Sequence, residues 1–408
     1  MTVVGRGGRV RVLFTCAGEI GHFHPLIPVA RSLTGRGHDV AFAVPATFRS
    51  RAEAAGFVTL PAGLDRPAIA AEIDRRFPDW RAVPLEDRLR FALADVGARV
   101  VAPVMTVDLV AAVEAWDAEL LVHGPAVFAG PLAAEVTGIP HANHGWGPLP
   151  GLDDLALAAD AMAPLWAGRG FDRPPLAGMF RYLYLDICPP SLQTPDSAVV
   201  EVAHPLRPTS ADGTAGQVLP PWIAALPPVP TVYVTLGTFC NRFTHLFTTI
   251  LAGLAEVPVN VIVTVGDDQD PVALGPQPDH VHVVRYLPTS LVLRHCRLVV
   301  SHGGSGTMLA ALARGVPLLL VPQGHDHSRN AELCAGAGVG RSLCPGELTP
   351  GAVQREVAAM LDRSQYAEAA RAVRDEIDAM PGPDEAAGLL ERLAVERRPL
   401  LRPLRPGG

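Results

Sequence analysis

Two histidines lie in a polar stretch that follows an apolar run near the start of the chain. The stretch CAGEIGHFHPLIPVA places His22 and His24 among glycine and proline residues before an apparent helix. Such a loop could cradle a phosphate, bind a metal ion or hold a catalytic base. The G-x-G-x-x-G spacing of a dinucleotide loop is missing. A metal ion needs three or four ligands, and Glu19 is the one carboxylate nearby. An imidazole with an ordinary pKa near 6.5 suits a base, so His22 and His24 are both candidates, although a single histidine in a loop is more often a structural hydrogen-bonding residue.

A second polar cluster, VVSHGGSGTMLAALARGVP, contains the densest group of small residues. We expect an apolar strand to end at Ser301 and a helix to begin near Ser305. The backbone N–H groups at that helix N-terminus favour an anion, and His302 and Thr307 add side-chain donors. The glycines that let the backbone approach a phosphate are Gly303, Gly304 and Gly306. The alternative is a glycine turn that only joins strand to helix.

Three further motifs support a nucleotide-sugar site. TLGTFCN ends another strand in Gly237 and Thr238, and RYLPTS contains Tyr286, whose ring could stack on a nucleobase. PQGHDHSRNA contributes Asp326 and His327, which suit sugar hydroxyls. A Walker-type NTPase is excluded, because the sequence has no G-x-x-x-x-G-K-[ST] and no lysine.

Strand-like and helix-like segments alternate in both halves of the chain. Apolar runs such as VRVLFTC and TVYVTLG are typical of inner parallel strands, and 8–15-residue helical segments separate them. A Pro- and Gly-rich linker covers residues 205–230. The fold class is therefore α/β, and ligands are expected at the carboxyl ends of the strands. Residues 64–113 and 146–192 are expected to be irregular and to shape a binding surface.

Composition excludes several function classes. The chain of 408 residues is 49% hydrophobic with a net charge of −7, which argues against nucleic-acid or anionic-membrane partners. The six cysteines lack metal spacing, so we expect reduced core residues of a cytosolic protein. No signal-peptide region and no uninterrupted apolar run of about 18 residues is evident. The sequence predicts a soluble cytoplasmic protein.

The stretch from Tyr286 to about Gly338 resembles the signature box of the GT1 glycosyltransferases, which have the GT-B fold. The resemblance implies two doubly wound Rossmann-like domains that face each other across a cleft. Residues 1–208 would bind the acceptor and residues 209–380 the nucleotide sugar. Residues 381–408 would cross back to the first domain.

The resemblance also implies roles for individual residues. Tyr286 would stack on the base, with Leu287 offering backbone to it, and Asp326 and His327 would face the donor sugar. The diphosphate would contact Gly237, Thr238, His302, Gly304, Ser305, Gly306 and Thr307. His22 would deprotonate the acceptor hydroxyl as it displaces the diphosphate directly, with inversion. No metal and no cofactor beyond the nucleotide sugar is expected.

Departures from the plant-type signature point to the donor. Thr289 and Ala310 stand where plant enzymes carry Gln and Glu, and His327 replaces a Gln. In the plant enzymes this Glu accepts hydrogen bonds from both ribose hydroxyls of UDP. The 2′-deoxyribose of dTDP offers only one such hydroxyl, so the absence of the carboxylate lowers affinity least for a dTDP-linked donor. The chain is similar in this respect to bacterial enzymes that use dTDP-deoxysugars. Gly124 stands where many relatives have an Asp that orients the base. Asp108, Asp117, a backbone carbonyl or the acceptor could take over that task.

The expected acceptor is a hydrophobic natural product such as a polyketide. Aromatic residues of the two irregular stretches would surround it, with Trp146 as the best individual contact. Alternatives are a UDP-sugar-dependent transferase, a same-fold epimerase or cell-wall transferase, and a non-catalytic partner that binds sugar nucleotide for another transferase. The sequence leaves open whether the protein forms a homodimer.

Overall fold

Two separate parallel sheets organise the chain into two units. The computed structural model describes residues 8–209, 211–212, 217–238 and 240–402. Unit 1 comprises Met1–Cys188, Thr194–Arg207 and Pro381–Gly408, and unit 2 comprises Pro189–Gln193 and Pro208–Met380. The last segment of the chain thus belongs with the first unit.

Unit 1 is built on a parallel sheet with strand order β3-β2-β1-β4-β5-β6-β7 among its described residues. Its strands are β1 Arg11–Thr15, β2 Asp39–Val44, β3 Val58–Pro61, β4 Leu120–His123, β5 His141–His144, β6 Tyr184–Asp186 and β7 Ala203–Pro205. Strand order reverses beside β1, because β2 and β4 pair with its two edges. The inner strands are apolar because helices cover both faces of a sheet of this kind.

The helices of unit 1 include a long helical region that the sequence did not indicate. The helices are α1 Ile20–Phe23, α2 Ile27–Gly35, α3 Arg49–Ala54, α4 Arg66–Arg76, α5 Arg88–Arg90, a π-helix Phe91–Val101, α6 Ala102–Trp116, α7 Ala129–Thr137 and α8 Leu152–Ala167. The expectation of irregular structure over 64–113 and 146–192 is therefore wrong for most of the first stretch and for the α8 part of the second. Helices α6 and α8 also carry apolar residues on their exposed sides, such as Val104, Val107 and Leu157, so the polar face that marks an amphipathic helix is weak.

One helical stretch, Leu85–Trp116, has the length and apolar composition of a membrane span. A buried core helix passes the same test. Leu93, Met105 and Leu109 of this stretch are at most 2% exposed and belong to the main hydrophobic cluster of unit 1. The stretch contacts α7 and α8 extensively. We therefore assign it to the core of unit 1.

Unit 2 repeats the arrangement with strand order β10-β9-β8-β11-β12-β13 among its described residues. Its strands are β8 Thr231–Thr235, β9 Asn260–Thr264, β10 Val281–Val284, β11 Leu298–Ser301, β12 Leu318–Leu320 and β13 Gly340–Ser342. Its helices are α9 Pro221–Ala224, α10 Thr244–Leu254, α11 Thr289–Val292, α12 Ser305–Leu312, α13 His327–Gly336, α14 Pro350–Asp362 and α15 Ser364–Ala379. The predicted pair of Rossmann-like domains is confirmed; their facing across a cleft stays a prediction.

The last helix, α16 (Pro383–Glu396), packs on α2 of unit 1. Glu391 accepts two hydrogen bonds of 2.7 Å from Arg36 and one of 2.7 Å from His38. The bonds from Arg36 lower the pKa of Glu391 to about 2, against the effect of partial burial. A hydrogen bond from Ser32 to Asp384 adds a further polar contact. The ionised Glu391 thus helps attach the C-terminal segment to unit 1.

Candidate functional site

In each unit the strand order reverses beside the first strand, which is where doubly wound sheets bind ligands. In unit 2 this point lies between β8 and β11, and in unit 1 between β1 and β4. The loop after β8 carries Gly237 and Thr238, and the loop after β11 carries His302. His22 lies in the short helix α1, in the connection after β1. The predicted donor residues and the predicted base therefore lie at the expected ends of the two sheets.

His302 is enclosed by glycine backbone. A Cβ added at Gly237 would come 2.5 Å from its Cε1 atom, and one at Gly304 would come 2.5 Å from its Nε2 atom. Gly237 also has φ +66°, a conformation that favours glycine. Only glycine at both positions allows the ring to lie between the two loops. The Nδ1 atom of His302 is buried and has no hydrogen-bond partner among the described residues.

A second histidine packs against His302. The ring of His327 meets it edge-on, with the two ring centroids 4.7 Å apart. Burial lowers the pKa of each imidazole to about 3, so both rings are neutral near pH 7. His327 is only 5% exposed, and its Nδ1 accepts a hydrogen bond from the backbone N–H of Gln323. His327 therefore supports His302, and its predicted contact with the donor sugar stays a prediction.

The loop after β12 is bonded to the start of α12. Ser305, the first residue of α12, donates through Oγ to Asp326 at 2.7 Å. Asn330 of α13 donates from Nδ2 to the backbone oxygen of Gly303 at 2.8 Å and lies 3.0 Å from both Ser305 Oγ and Asp326 Oδ2. The Oδ2 atom of Asp326 thus holds its loop against the start of α12 through hydrogen bonds. The contact of Asp326 with the donor sugar stays a prediction.

The rim of the donor loops is more accessible. Thr238 and Gly306 are exposed, and Gly304 and Thr307 are half-buried. Because α12 begins at Ser305 as predicted, the first N–H groups of this eight-residue helix have no carbonyl partner within the helix. They are therefore available to an anion. Ala310, on the second turn of α12, carries no carboxylate.

Tyr286 lies just beyond the end of β10, and its side chain is 44% exposed. Its hydroxyl donates to the backbone oxygen of Asp212, and the Asp212 carboxylate accepts from the N–H of Ser290 at 2.9 Å. Burial, reinforced by Asp212, raises the pKa of Tyr286 to about 12. The hydrogen bond thus fixes the hydroxyl end of Tyr286, while part of its ring is exposed and accessible to a stacking partner. Leu287 is buried at 5% exposure.

An acidic turn, DDQD at residues 267–270, follows β9 and is held by Arg285, the residue directly after β10. Arg285 donates to the backbone oxygen of Gln269 at 3.0 Å and pairs with Asp270 at 3.5 Å. Within the part of the chain that the structure describes, no group of three or more His, Cys, Asp or Glu side chains is arranged to hold a metal ion.

In unit 1, His22 stacks on Trp146. The ring centroids are 4.5 Å apart and the planes differ by 21°. His22 lies in the one-turn helix α1 after β1, and Trp146 follows β5, so the contact extends past β4, which lies between these strands. Both side chains are half-buried. His22 therefore covers one face of the Trp146 ring. The predicted contact between Trp146 and the acceptor would have to use the rest of the indole.

The two carboxylates considered as partners of His22 lie at different places. Asp117 pairs at 3.0 Å with Arg11, the first residue of β1, and so lies at the amino end of the sheet. That position excludes it as the partner of His22. Asp108 accepts from the N–H of Gly63 at 2.9 Å, beyond the carboxyl end of β3. Asp108 therefore lies at the same end of the sheet as His22 and stays the carboxylate candidate.

Gly124, at the position of the expected aspartate, is buried, yet a Cβ there would meet no atom within 4 Å. Its carbonyl lies 3.1 Å from Nδ1 of His123, whose Nε2 is 3.0 Å from Nδ1 of His141. Because a carbonyl only accepts, His123 donates from Nδ1 and accepts at Nε2. Burial lowers the pKa of His123 to about 4 and that of His141 well below its ordinary value. These neutral histidines are structural.

Sequence reasoning missed Asn330 and Asp212. Asn330 is 1% exposed and bonds two loops of the donor site. Its position four residues after Asp326, one helical turn away, was the only signal in the sequence. Asp212 lies in the Pro- and Gly-rich linker and gave no signal at all.

Comparison with known proteins identifies the family. The sequence profile of the N-terminal domain of erythromycin biosynthesis protein CIII-like proteins matches residues 31–237, and that of the C-terminal domain matches residues 248–393. The L-demethylnoviosyl transferase of Streptomyces niveus is 33% identical over 348 residues, or 82% of this chain and 85% of that protein. The 10-deoxymethynolide desosaminyltransferase of Streptomyces venezuelae is 29% identical over 437 residues, or 95% of this chain and 98% of that protein.

Solved structures agree with this assignment. The spinosyn rhamnosyltransferase complexed with thymidine diphosphate has a TM-score of 0.79 and 26% identity, covering 94% of this chain and all of that chain. It shares two parallel-sheet Rossmann-like domains with the present protein. The chain therefore belongs to the erythromycin biosynthesis protein CIII-like family of GT1 natural-product sugar transferases, which have the GT-B fold.

Proposed function

We propose that this transferase moves a deoxysugar from a dTDP-linked donor to a hydroxyl group of a hydrophobic aglycone, with His22 as general base and with inversion. The observation that carries the proposal is the set of loops in unit 2. There the start of α12, the enclosed His302 ring and Gly237 meet where the strand order reverses. A diphosphate is the group that such a set of N–H donors and glycine backbone suits best.

Two observations support thymidine over uridine in the donor. Ala310 offers no carboxylate on α12 to accept from two ribose hydroxyls, so a 2′-deoxyribose loses least there. The similar spinosyn rhamnosyltransferase has been solved with thymidine diphosphate. In the proposal the base stacks on the exposed part of Tyr286. Asp326 offers its second carboxylate oxygen to the sugar.

The assignment of His22 rests on position and access. The residue follows β1, where unit 1 is expected to bind a ligand, and its ring is half-exposed. Trp146 fixes the plane of the imidazole by stacking. An oriented neutral imidazole can take the hydroxyl proton as the acceptor oxygen attacks the anomeric carbon. The C–O bond to the departing diphosphate breaks in the same step, which inverts the configuration.

The acceptor is assigned by class only. The relatives are named for sugar transfer to natural products such as 10-deoxymethynolide, and we propose an acceptor of similar size and apolarity. Trp146 is the residue that we expect to contact it. A cytoplasmic location and action without a metal ion also belong to the proposal, and homodimer formation stays open.

A transfer assay tests the proposal. Purified full-length protein is incubated with dTDP- or UDP-linked deoxysugars and a panel of macrolide and aromatic polyketide aglycones. Nucleotide release and product mass are followed, and the product linkage is determined by NMR. We expect release of dTDP, one added deoxysugar and an inverted anomeric centre. Turnover of UDP-sugars alone would overturn the dTDP assignment, and retention of configuration would overturn direct displacement.

A further inference from the structure

Unit 2 has a concave site that does not include the donor loops. Its volume is about 360 Å³, and five arginines line it: Arg294, Arg297, Arg314, Arg371 and Arg374. Arg297 directly precedes β11, whereas His302 directly follows it. The two residues are five positions apart along extended chain, which is about 17 Å. The arginine cavity is therefore at the amino end of the sheet, opposite to the donor loops.

Three separate segments bring these arginines together. Arg294 and Arg297 come from the turn before β11, and Arg314 follows α12. Arg371 and Arg374 lie on α15, where a three-residue spacing puts both on one helix face. Gly315 has φ +66°, and a Cβ there would come 3.1 Å from Cγ of Arg371. Glycine at this position thus lets the turn after α12 approach α15 closely.

Most of this positive charge is not paired with any residue that the structure describes. Arg374 bonds to its neighbour Asp375 at 2.7 Å. For the other four arginines, no carboxylate of any described residue lies within the 4.0 Å of an ion pair. The whole chain has 41 acidic and 34 basic residues, so the excess of positive charge here is local. All but Arg374 of these arginines are exposed, so water screens part of their mutual repulsion, and an anion between them would relieve what remains.

The shape and chemistry of the cavity fit a phosphate compound. A volume of about 360 Å³ is at the small end of the range for ligand pockets. Guanidinium groups bind phosphate oxygens in pairs, and several of them around one cavity favour a ligand with more than one negative charge. We propose that the arginine cavity of unit 2 binds a small oligophosphate anion, at a site separate from the nucleotide-sugar site.

Calorimetric titration with inorganic pyrophosphate tests this site. The full-length protein is titrated at low and at physiological salt, together with the double variant Arg297→Ala/Arg371→Ala and the matched control Arg355→Ala. Arg355 is an exposed arginine of the same unit on α14, outside the cavity. We expect a pyrophosphate site whose dissociation constant rises about 100-fold in the double variant, since each charged hydrogen bond is worth about tenfold or more. The control should keep wild-type affinity, and salt should weaken binding.

The outcomes separate this proposal from the proposed function. Pyrophosphate that binds the donor loops would give a site unaffected by the two substitutions and displaced by dTDP. If every pyrophosphate site behaves in that way, or if no pyrophosphate binds at all, the arginine cavity is not an anion site. An equal loss in Arg355→Ala would mean general electrostatic attraction and would also overturn the proposal.

Two further measurements complete the test. The variant Arg297→Gln/Arg371→Gln keeps polar side chains but removes both charges, and its circular dichroism should match that of the wild type while its pyrophosphate affinity falls. Titration with glucose 1-phosphate distinguishes an organic monoester from an oligophosphate. We expect it to bind at least tenfold more weakly than pyrophosphate. Equal or tighter binding of the monoester would overturn the oligophosphate assignment.

Discussion

The two units have the same sheet topology, but they hold their key histidines differently. His302 of unit 2 lies between glycine backbones and is buried, and its pKa falls to about 3. His22 of unit 1 lies on one face of Trp146 and is half-exposed. A buried neutral ring suits the fixed recognition of a ligand. An accessible ring suits the transfer of a proton. The two rings have different neighbours: Gly237 and Gly304 lie against His302, whereas Trp146 from another loop stacks on His22.

The largest effect should come from removing the accessible histidine. His22→Ala is expected to lower kcat by about 10²–10⁴, because the acceptor hydroxyl loses its base. His24→Ala, two residues away, should leave kcat within about threefold. Steady-state kinetics with saturating donor and acceptor measure both variants. Near-normal turnover in His22→Ala would assign the base elsewhere and remove the functional contrast between the two histidines.

Adding a single methyl group beside His302 should weaken the binding of dTDP. In Gly304→Ala the new Cβ would come 2.5 Å from Nε2 of His302, so the ring or the loop must move. Overpacking of this size costs about 1–3 kcal/mol, and we expect dTDP affinity to fall about 10- to 100-fold. Gly336→Ala on α13 meets no atom within 4 Å and serves as the control. Calorimetric titration measures both. Unchanged affinity in Gly304→Ala would mean that His302 is not confined as described.

Asn330 should affect donor binding more than catalysis. Asn330→Ala removes the hydrogen-bond donor to the buried backbone oxygen of Gly303, which costs about 1–3 kcal/mol of stability. We expect the KM for the nucleotide sugar to rise about tenfold while kcat changes less than threefold. Glu332→Ala, on the exposed side of the same helix, should change neither. A fall in kcat with constant KM would contradict a positioning role.

The smallest effect concerns the attachment of α16 in unit 1. The pKa of Glu391 is about 2 in the folded state, below its ordinary value of 4.5, because Arg36 bonds to the carboxylate. The resulting stability is present above pH 4.5 and is lost as the pH falls towards 2. Glu391→Gln should therefore lower the free energy of unfolding by about 1–2 kcal/mol at pH 7 and by less at pH 3, after allowance for solvent screening.

Urea unfolding at several pH values measures the effect of this substitution. Glu86→Gln, an exposed residue of unit 1, is the control and should show no such dependence. If the free energy of unfolding of Glu391→Gln differs from that of the wild type by the same amount at every pH, the ion pair is excluded as the source of the difference.

The sequence predicted the donor loops far better than the first unit. Glycines, a strand end and a helix start mark His302 and Ser305 directly, because the chemistry there depends on backbone conformation. Asn330 could not be found in this way, because its importance arises from a turn that brings α13 beside the loop after β11. The stretch around Met105 looked irregular because the solvent-facing side of its helix also carries apolar residues, such as Val104 and Val107, so no clear polar face marked the helix.

In the first unit, the positions of candidate residues could be predicted from the sequence, but their contacts could not. His22 and Trp146 are 124 residues apart, and only the order of the strands brings their rings within 4.5 Å. The sequence also left Asp108 and Asp117 equivalent. The ion pair of Asp117 with Arg11 at the amino end of the sheet separates them. Long-range pairing of this kind depends on the whole fold.

The most direct test of the central claim is a titration of the full-length protein with dTDP and UDP under the same conditions. If unit 2 binds a thymidine nucleotide sugar, dTDP should bind at least tenfold more tightly than UDP, and Tyr286→Ala should weaken both. Equal or tighter binding of UDP would contradict the dTDP assignment. Failure of either nucleotide to bind would contradict the donor site itself.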